Sequence, residues 1–213
     1  MVNVSPMKSS YNRIAGQSVE RLAALSDGIF GVAMTLLLLD LRVPLKSVVT
    51  SETDLWRALA ALWPDLLVYM MSFMTLGIFW IGQQTQLNFL AHSDRHLTWI
   101  HLAFLFPVTL LPFSTRLLID FITYRAALLE YWFNLFLLGA TLYFAWGRTT
   151  RANLVKEETT EETKSAICWR IIYAQSLYAV GAALCVFSTY LSIAFIVLLQ
   201  LNYVIAPKDW GKA

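Results

Sequence analysis

The stretch that decides the fold is residues 22–41, LAALSDGIFGVAMTLLLLDL, a run of twenty residues whose only charged members are Asp27 and Asp40. An apolar run of about 20 residues is long enough to cross a bilayer as a helix. Residues 1–20 before it are polar, which is unlike a cleaved signal peptide, so we expect the run to stay in the mature protein. It is the first of several such segments.

The composition of the whole chain is that of a membrane protein. Of the 213 residues, 58% are hydrophobic and only 14% are charged, which excludes an ordinary soluble domain and a disordered chain. The net charge of +2 and the lack of a basic, aromatic-rich face make nucleic acid an unexpected partner. Cys168 and Cys185 form no CxxC pair, so the sequence favours neither a disulfide framework nor a zinc site.

The apolar segments predict an all-α, polytopic membrane protein with six transmembrane helices in one domain, 1–213. The final apolar stretch, residues 171–206, would measure about 54 Å as one helix, well beyond the roughly 30 Å hydrocarbon core, so it must fold back near Ser188. No internal repeat and no soluble-enzyme motif is visible, so we do not expect an enzyme. The predicted helices are 22–43, 59–83, 97–119, 126–146, 171–187 and 190–206.

The distribution of Lys and Arg predicts the orientation in the membrane. With the N-terminus inside, eleven of the sixteen basic residues lie on the inner side, so we expect a multi-pass protein of the cell membrane with both termini in the cytoplasm. The inner set is Lys8, Arg13, Arg21, Arg95, Arg148, Arg151, Lys156, Lys164, Arg170, Lys208 and Lys212. The segment 148–164 is predicted to be a solvated helical extension or linker.

The first helix carries polar residues where they are costly unless paired or hydrated. At about 100° per residue, one face collects aliphatic residues and one threonine, whereas Asp27 falls on roughly the opposite face and needs a partner. That pattern alone fits either a helix-packing hydrogen bond or a functional carboxylate. The residues on the aliphatic face are Leu25, Gly28, Ile29, Val32, Thr35, Leu36 and Leu39.

These residues resemble the transmembrane protein 175 potassium-channel family. Arg21, then Leu25-Ser26-Asp27-Gly28, then the helix 29–36 is similar to that family's Arg-x-x-x-Phe-Ser-Asp motif and the helix after it, with Leu25 in place of Phe. Six helices in roughly 200 residues are also typical of its single-repeat prokaryotic members. Leu111-Pro112-Phe113 fits the family pattern as well.

The resemblance implies a homotetramer with a central pore that favours potassium over other monovalent cations. It assigns the hydrophobic constriction to Val32 and the next pore-facing layers to Thr35, Leu36 and Leu39. Potassium would be the permeant ion, and no cofactor is expected. The protein itself, membrane lipid and monovalent cations are the expected partners.

The second and third helices depart from the family pattern. The family has Trp-x-x-His-His and Leu-Trp-x-Asn there, whereas this chain has Trp80 followed by Gln83-Gln84, and Trp99 followed by His101. A rewired structural network is therefore expected. Its predicted members are Arg21, Ser26, Asp27, Trp80 and His101.

Several alternatives remain open at the sequence level. Asp40 could concentrate cations at the pore mouth or pair with Arg42.

A second class of function is a cation- or proton-coupled secondary transporter that uses Asp27, which would place a substrate cavity within each subunit. His92, Asp94, His96 and His101 hint at a metal site, but they lack a complete ligand pattern. A membrane enzyme or haem protein lacks the intramembrane His pairs or nucleophile that it would need.

Overall fold

The computed structural model describes residues 18–46, except the side chain of Asp40, and residues 49–205. The described residues form seven α-helices and two short 3₁₀ turns. The α-helices are α1 (Val19–Leu36), α2 (Glu52–Ala61), α3 (Trp63–Asn88), α4 (Arg95–Asp120), α5 (Arg125–Arg151), α6 (Glu161–Ala183) and α7 (Thr189–Ile205).

Helix α1 begins at a side-chain cap and ends in a tightened turn. The Ser18 hydroxyl accepts a hydrogen bond from the Arg21 backbone N–H at 3.2 Å, as an N-cap serine does. The α-helix ends at Leu36 and passes into the 3₁₀ turn Leu37–Asp40, so the expected continuation to residue 43 was wrong. Pro44 disfavours a helical conformation of the residue before it, and residues 42–45 are accordingly not helical.

The predicted second helix is two helices. Helix α2 ends at Ala61, and α3 begins at Trp63, with Pro64 in its first turn. Proline lacks the N–H that would bond to residue 60 and clashes with that carbonyl, so a continuous helix is interrupted here. Helix α3 then continues to Asn88, five residues past the predicted end at 83, because Gln83 and Gln86 are buried and hydrogen-bonded rather than solvated.

Helices α4 and α5 form an antiparallel hairpin. Pro107 and Pro112 both lie inside α4 without ending it, which membrane helices tolerate when neighbouring side chains satisfy the freed backbone groups. Asn134 of α5 contacts the backbone between the two prolines: with its carboxamide oriented to match both groups, it donates to the Pro107 carbonyl at 3.1 Å and accepts from the Leu111 N–H at 3.2 Å.

A clasp at one end of the bundle joins the α3–α4 loop to the α5–α6 loop. Ala91 N–H donates to the Leu154 carbonyl, and Lys156 N–H donates to the Phe89 carbonyl, both at 2.9 Å. The Arg148 guanidinium binds the Asp94 carboxylate beside this bridge. A small apolar cluster beneath it includes Leu22 of α1, so the clasp also holds the start of the first helix.

The predicted linker 148–164 is largely helical at both ends. Helix α5 continues to Arg151, and α6 begins at Glu161, ten residues before the predicted start at 171. Thr160 caps α6 by accepting from the Thr163 N–H at 3.2 Å, and Glu161 and Glu162 lie in the first turn, where negative charge is favourable. The boundary prediction missed this capped polar turn because it followed apolar residues only.

The last apolar stretch folds back. Helix α6 passes into a 3₁₀ turn over Leu184–Val186, and α7 starts at Thr189, next to the predicted turn at Ser188. The Arg125 guanidinium donates to the Val186 carbonyl at 2.8 Å and so satisfies one of the carbonyls at the helix end.

The architecture is an all-α, polytopic membrane fold. Within residues 18–46 and 49–205, five helices are long and apolar enough to cross a membrane, and α7 is a shorter apolar helix of 17 residues. Helix α1 packs against α3 and α4, while α7 packs against α3 and α6. The side chain of Asp40, and the basic residues Lys8, Arg13, Lys208 and Lys212 used to predict the orientation, lie outside the described residues, as does Ala206 at the predicted end of the last helix.

Candidate functional site

Helix α1 leaves its aliphatic face uncovered. Only four of its 18 residues are buried: Leu22, Ser26, Phe30 and Ala33. Away from these residues, Val32 is 58% exposed and Leu36 43%, and Leu39 in the following 3₁₀ turn is 75% exposed. An exposed apolar stripe on a membrane-spanning helix faces either lipid or a path between subunits, and the motif residues Ser26 and Asp27 on the same helix are what distinguish α1 from the other spans.

A groove of about 400 Å³ runs along the same face. Seven residues of α1 and Thr109 of α4 line it. All of the α1 residues in it come from one side of the helix. The lining residues are Ala24, Leu25, Gly28, Ile29, Val32, Ala33, Leu36 and Thr109.

Thr35 is exposed beside this stripe. Its hydroxyl donates to the Val32 carbonyl at 2.8 Å, within the same helix. The hydroxyl hydrogen is thereby engaged, and the oxygen lone pairs remain free to accept a hydrogen bond or to contact a cation. Thr35 therefore presents a hydroxyl oxygen beside this aliphatic face that can act as a ligand to a cation.

Asp27 is held by two side chains of α3. The Trp80 indole Nε1 and the Gln84 amide Nε2 each donate to the Asp27 Oδ1 at 2.7 Å. The carboxylate remains exposed at the surface of the single chain. Trp80 and Gln84 are four residues apart, so they lie one above the other on the same face of α3.

Ser26 belongs to a separate, buried set of contacts. Its hydroxyl donates to the Gln83 Oε1 at 2.8 Å. The Gln83 amide nitrogen lies 3.4 Å from His101 Nδ1, and all three residues are at most 1% exposed. The single network expected from the sequence is therefore divided into a surface group around Asp27 and a buried group around Gln83.

Arg21 takes no part in either group. Within the described residues it forms no ion pair with Asp27, although the two were expected to interact. Six residues of helix turn through about 600°, which leaves them on different sides of α1. The described part of Asp40 is its backbone in the 3₁₀ turn, so the proposed role of its carboxylate at a pore mouth lies outside what the structure describes.

Three residues of the site were not predicted individually. Gln83 and Gln84 were noted only as departures from a family pattern, yet they are the partners of Ser26 and Asp27. The spacing of Gln84 from Trp80 would have placed it on the same face. Thr109 carries no sequence signal of its own, because its position depends on how α4 packs against α1.

The interior of the bundle holds a second polar cluster, formed by hydroxyl groups and one amide. Tyr131 bonds to Ser72 at 3.2 Å and to Thr75 at 3.1 Å, and the Thr115 hydroxyl donates to Ser72 at 2.8 Å. The Gln200 amide donates to Thr75 at 2.7 Å. These hydrogen bonds connect α3, α4, α5 and α7 in the interior, where buried polar groups need partners.

A metal centre finds no support in the arrangement of the histidines. His101 lies buried inside α4, whereas His92 and His96 are exposed near its start. Across residues 18–46 and 49–205 no three His, Cys, Asp or Glu side chains are grouped as they would be to hold a metal ion.

Comparison with known proteins gives a consistent result. The family described as "Endosomal/lysosomal potassium channel TMEM175" matches residues 21–112, which include the Ser26-Asp27 motif and Trp80. A potassium channel of Streptomyces collinus is 36% identical over 102 residues, which cover 48% of this chain and 48% of that protein. The chain therefore matches about half the length of that relative.

Two further similarities extend over most of the chain. A potassium channel of Chamaesiphon minutus is 27% identical over 187 residues, covering 86% of this chain and 92% of that protein. The fold matches the crystal structure of a lysosomal potassium-selective channel TMEM175 homolog from Chamaesiphon minutus with a TM-score of 0.75 and 26% identity, over 92% of this chain and 98% of the other. Motif, length and fold thus agree, and the chain belongs to the TMEM175 family of potassium channels, which is a family of ion channels and not of enzymes.

Proposed function

We propose that this protein conducts potassium through a pore on the axis of a homotetramer, lined by α1 of each subunit. The observation that carries the proposal is the uncovered aliphatic face of a membrane-spanning helix that bears the family motif. One such stripe cannot enclose a path alone, whereas four copies related by a closed rotation can. Both termini are proposed to lie on the cytoplasmic side, and the chain 1–213 to act as one membrane domain.

The narrowest ring is assigned to Val32. Apolar side chains around a narrow pore hinder ions, because a cation must shed hydration water that no wall oxygen replaces. Leu36 and Leu39 follow on the same face and form further apolar rings. All three are at least 43% exposed in the single chain, so the subunit itself leaves them free to line a path.

Thr35 is assigned the role of oxygen ligand between these rings. Its hydroxyl hydrogen is used within the helix, which directs the free lone pairs away from the backbone. Four such oxygens would favour a partly stripped potassium ion. A ring of hydroxyls discriminates less between potassium and sodium than a cage of backbone carbonyls does, so moderate selectivity is expected.

Asp27 is assigned a structural role at the edge of α1. Two donors from α3 bind its carboxylate, which leaves it little freedom to act as the coupling carboxylate of a transporter. The hydroxyl groups of Ser72, Thr75, Thr115 and Tyr131 bond to one another inside the bundle, so these four groups are not left open for a substrate. These observations favour the channel over the secondary transporter.

The test is made on purified protein. Native mass spectrometry in detergent should give a mass four times that of the subunit, and planar bilayers under bi-ionic potassium and sodium conditions should show unitary currents whose reversal potential favours potassium. Flux that saturates and requires a second coupled solute, with no unitary currents, would support the transporter instead. Monomers or dimers alone would contradict the tetramer.

A further inference from the structure

The two sides of α1 differ in the surfaces that they present. On one side lies α3, whose Trp80 bonds to Asp27. Phe73 precedes Trp80 by seven residues, two helical turns, and so lies on the same side of α3. Both side chains are exposed, and Gly77 lies between them with no atom within 4 Å of an added Cβ. We call Phe73, Gly77 and Trp80 the α3 flank.

On the other side of α1 lies an aromatic ridge on α4. Trp99, Phe106 and Phe113 recur every seven residues and are each 60–62% exposed. Thr109, three residues after Phe106, lines the groove beside α1, so the ridge borders the same groove. We call Trp99, Phe106 and Phe113 the α4 ridge.

The carboxylate of Asp27 indicates what covers the α3 flank. Asp27 lies within the candidate membrane span Val19–Leu39 and is exposed at the surface of the subunit. A carboxylate facing lipid is costly, and such residues face protein or water instead. The α3 flank beside it therefore belongs inside an assembly and not at the lipid boundary.

We propose that the α3 flank of one subunit packs against the α4 ridge of the next subunit, with Phe106 seated in the notch at Gly77. The proposal rests on the tetrameric channel proposed above and adds which surfaces meet. When the exposed face of α1 points toward a rotation axis, its two neighbours α3 and α4 point in opposite directions around the ring. In a cyclic assembly those two different surfaces meet at every contact.

The depths of the two surfaces agree. Helices α3 and α4 each contain 26 residues and are antiparallel neighbours in sequence. Gly77 lies 14 residues after Trp63, and Phe106 lies 14 residues before Asp120. At about 1.5 Å per residue, both are roughly 21 Å from the helix ends on the same side of the bundle. A bulky ring and an open notch thus occur at one level.

The first test fills the notch at Gly77 with a larger side chain. Gly77→Leu should leave the fold of the single subunit unchanged, because an added Cβ meets no atom within 4 Å there. It should lower the ratio of tetramer to monomer about tenfold by overfilling the contact. Gly147→Leu on α5 is the matched control, since it also has no atom within 4 Å of an added Cβ. Native mass spectrometry and thermal unfolding of the detergent-solubilised protein report assembly and subunit stability separately.

The second test locates the contact. The native cysteines are first removed with Cys168→Ser and Cys185→Ala. In this background, oxidation of the pair Gly77→Cys and Phe106→Cys should give disulfide-linked dimers, trimers and tetramers. The pair Gly77→Cys and Phe136→Cys, which uses an exposed position on α5, should not, and neither should the single cysteines. If Gly77→Cys prevents assembly, as an overfilled notch predicts, the level-matched pair Phe73→Cys and Leu110→Cys replaces it.

The outcomes separate this proposal from the function on which it rests. A wild-type protein that is never a tetramer contradicts the proposed assembly. Two results overturn only the assignment of the surfaces. In one, the protein is a conducting tetramer and Gly77→Leu leaves that tetramer intact. In the other, cysteines at positions 77 and 136 cross-link as readily as cysteines at positions 77 and 106.

Discussion

Asp27 and Trp80 meet across the interface between α1 and α3, where the indole Nε1 donates to the carboxylate Oδ1 at 2.7 Å. The bond links the motif that defines the first helix to a tryptophan 53 residues away. A second donor, Gln84, binds the same oxygen. The side of α1 that bears Asp27 is thereby tied to α3, and this leaves the Val32 face of the helix uncovered.

Asp27→Ala should reduce assembly. The change leaves the Trp80 and Gln84 donors without their acceptor, and a hydrogen bond to a charged group contributes about 1.5–3 kcal/mol. We expect a lower tetramer yield by native mass spectrometry, with a smaller loss for Asp27→Asn, which keeps a carbonyl oxygen. Glu20→Ala, on an exposed carboxylate at the start of α1, is the control. Normal assembly of Asp27→Ala with altered ion selectivity would mean that the carboxylate faces the ion path.

Val32→Asn should increase single-channel conductance and lower the preference for potassium over sodium, because amide groups at the narrowest ring favour a wet pore. Val32→Phe should reduce conductance. Val180→Asn, at an exposed position on α6, should leave both properties unchanged. Single-channel recording under bi-ionic conditions checks all three. If both Val32 variants assemble as tetramers and conduct like the wild type, the pore lies on another helix.

Thr35→Val should weaken the preference for potassium without closing the path. The substitution keeps the shape of the side chain and removes the oxygen whose lone pairs the helix leaves free. Thr35→Ser retains the hydroxyl and should retain the preference. Reversal potentials under bi-ionic conditions measure the difference. Equal reversal potentials for Thr35→Val and the wild type would mean that the Thr35 hydroxyl is not a ligand of the permeating ion.

Ser26→Ala should destabilise the subunit, because it leaves the buried Gln83 carbonyl oxygen unpaired, at a cost of about 1–3 kcal/mol. The control is Ser176→Ala on α6, where the exposed hydroxyl bonds only to the Ile172 carbonyl of its own helix. Thermal unfolding in detergent should show a lower midpoint for Ser26→Ala only. Similar midpoints for the two variants would contradict the importance of the Ser26–Gln83 bond.

Because of the ion pair between Asp94 and Arg148 in the clasp, the free energy of unfolding should fall as the pH becomes acidic. Partial burial of Asp94 acts to raise its pKa, but hydrogen bonds from the Leu97 N–H and from Arg148 outweigh it and hold the pKa below its usual value. A lowered folded-state pKa contributes stability that is fully present above the unfolded value of about 3.9 and is lost as the pH falls through the folded value.

Arg148→Gln should therefore lower the free energy of unfolding at pH 6 and flatten its dependence on pH below about 4. The pair is partly exposed, so the expected loss is only about 0.5–1 kcal/mol. Arg151→Gln, an exposed residue three positions later, is the control. Thermal unfolding monitored by tryptophan fluorescence at several pH values measures both variants. An unchanged pH dependence in Arg148→Gln would show that the ion pair does not contribute.

Much of the fold could be predicted from the sequence, because the length of an apolar run is a local property. Runs of about 20 apolar residues mark the spans, and the spacing of Val32, Leu36 and Leu39 places them on one face regardless of what surrounds the helix. The helix ends were less predictable where they depended on Pro64 within an apolar run or on the capped polar turn at Thr160.

The partners of the polar residues were decided by the tertiary structure. The sequence established that Ser26 and Asp27 need hydrogen bonds, since both lie within an apolar span, but not that Gln83 serves one and Trp80 and Gln84 the other. Those pairings depend on the rotation and depth of α3 against α1, which are set by packing along the whole length of both helices. Thr109 joins the groove for the same reason: a residue with no local signal acquires its place from the position of its helix.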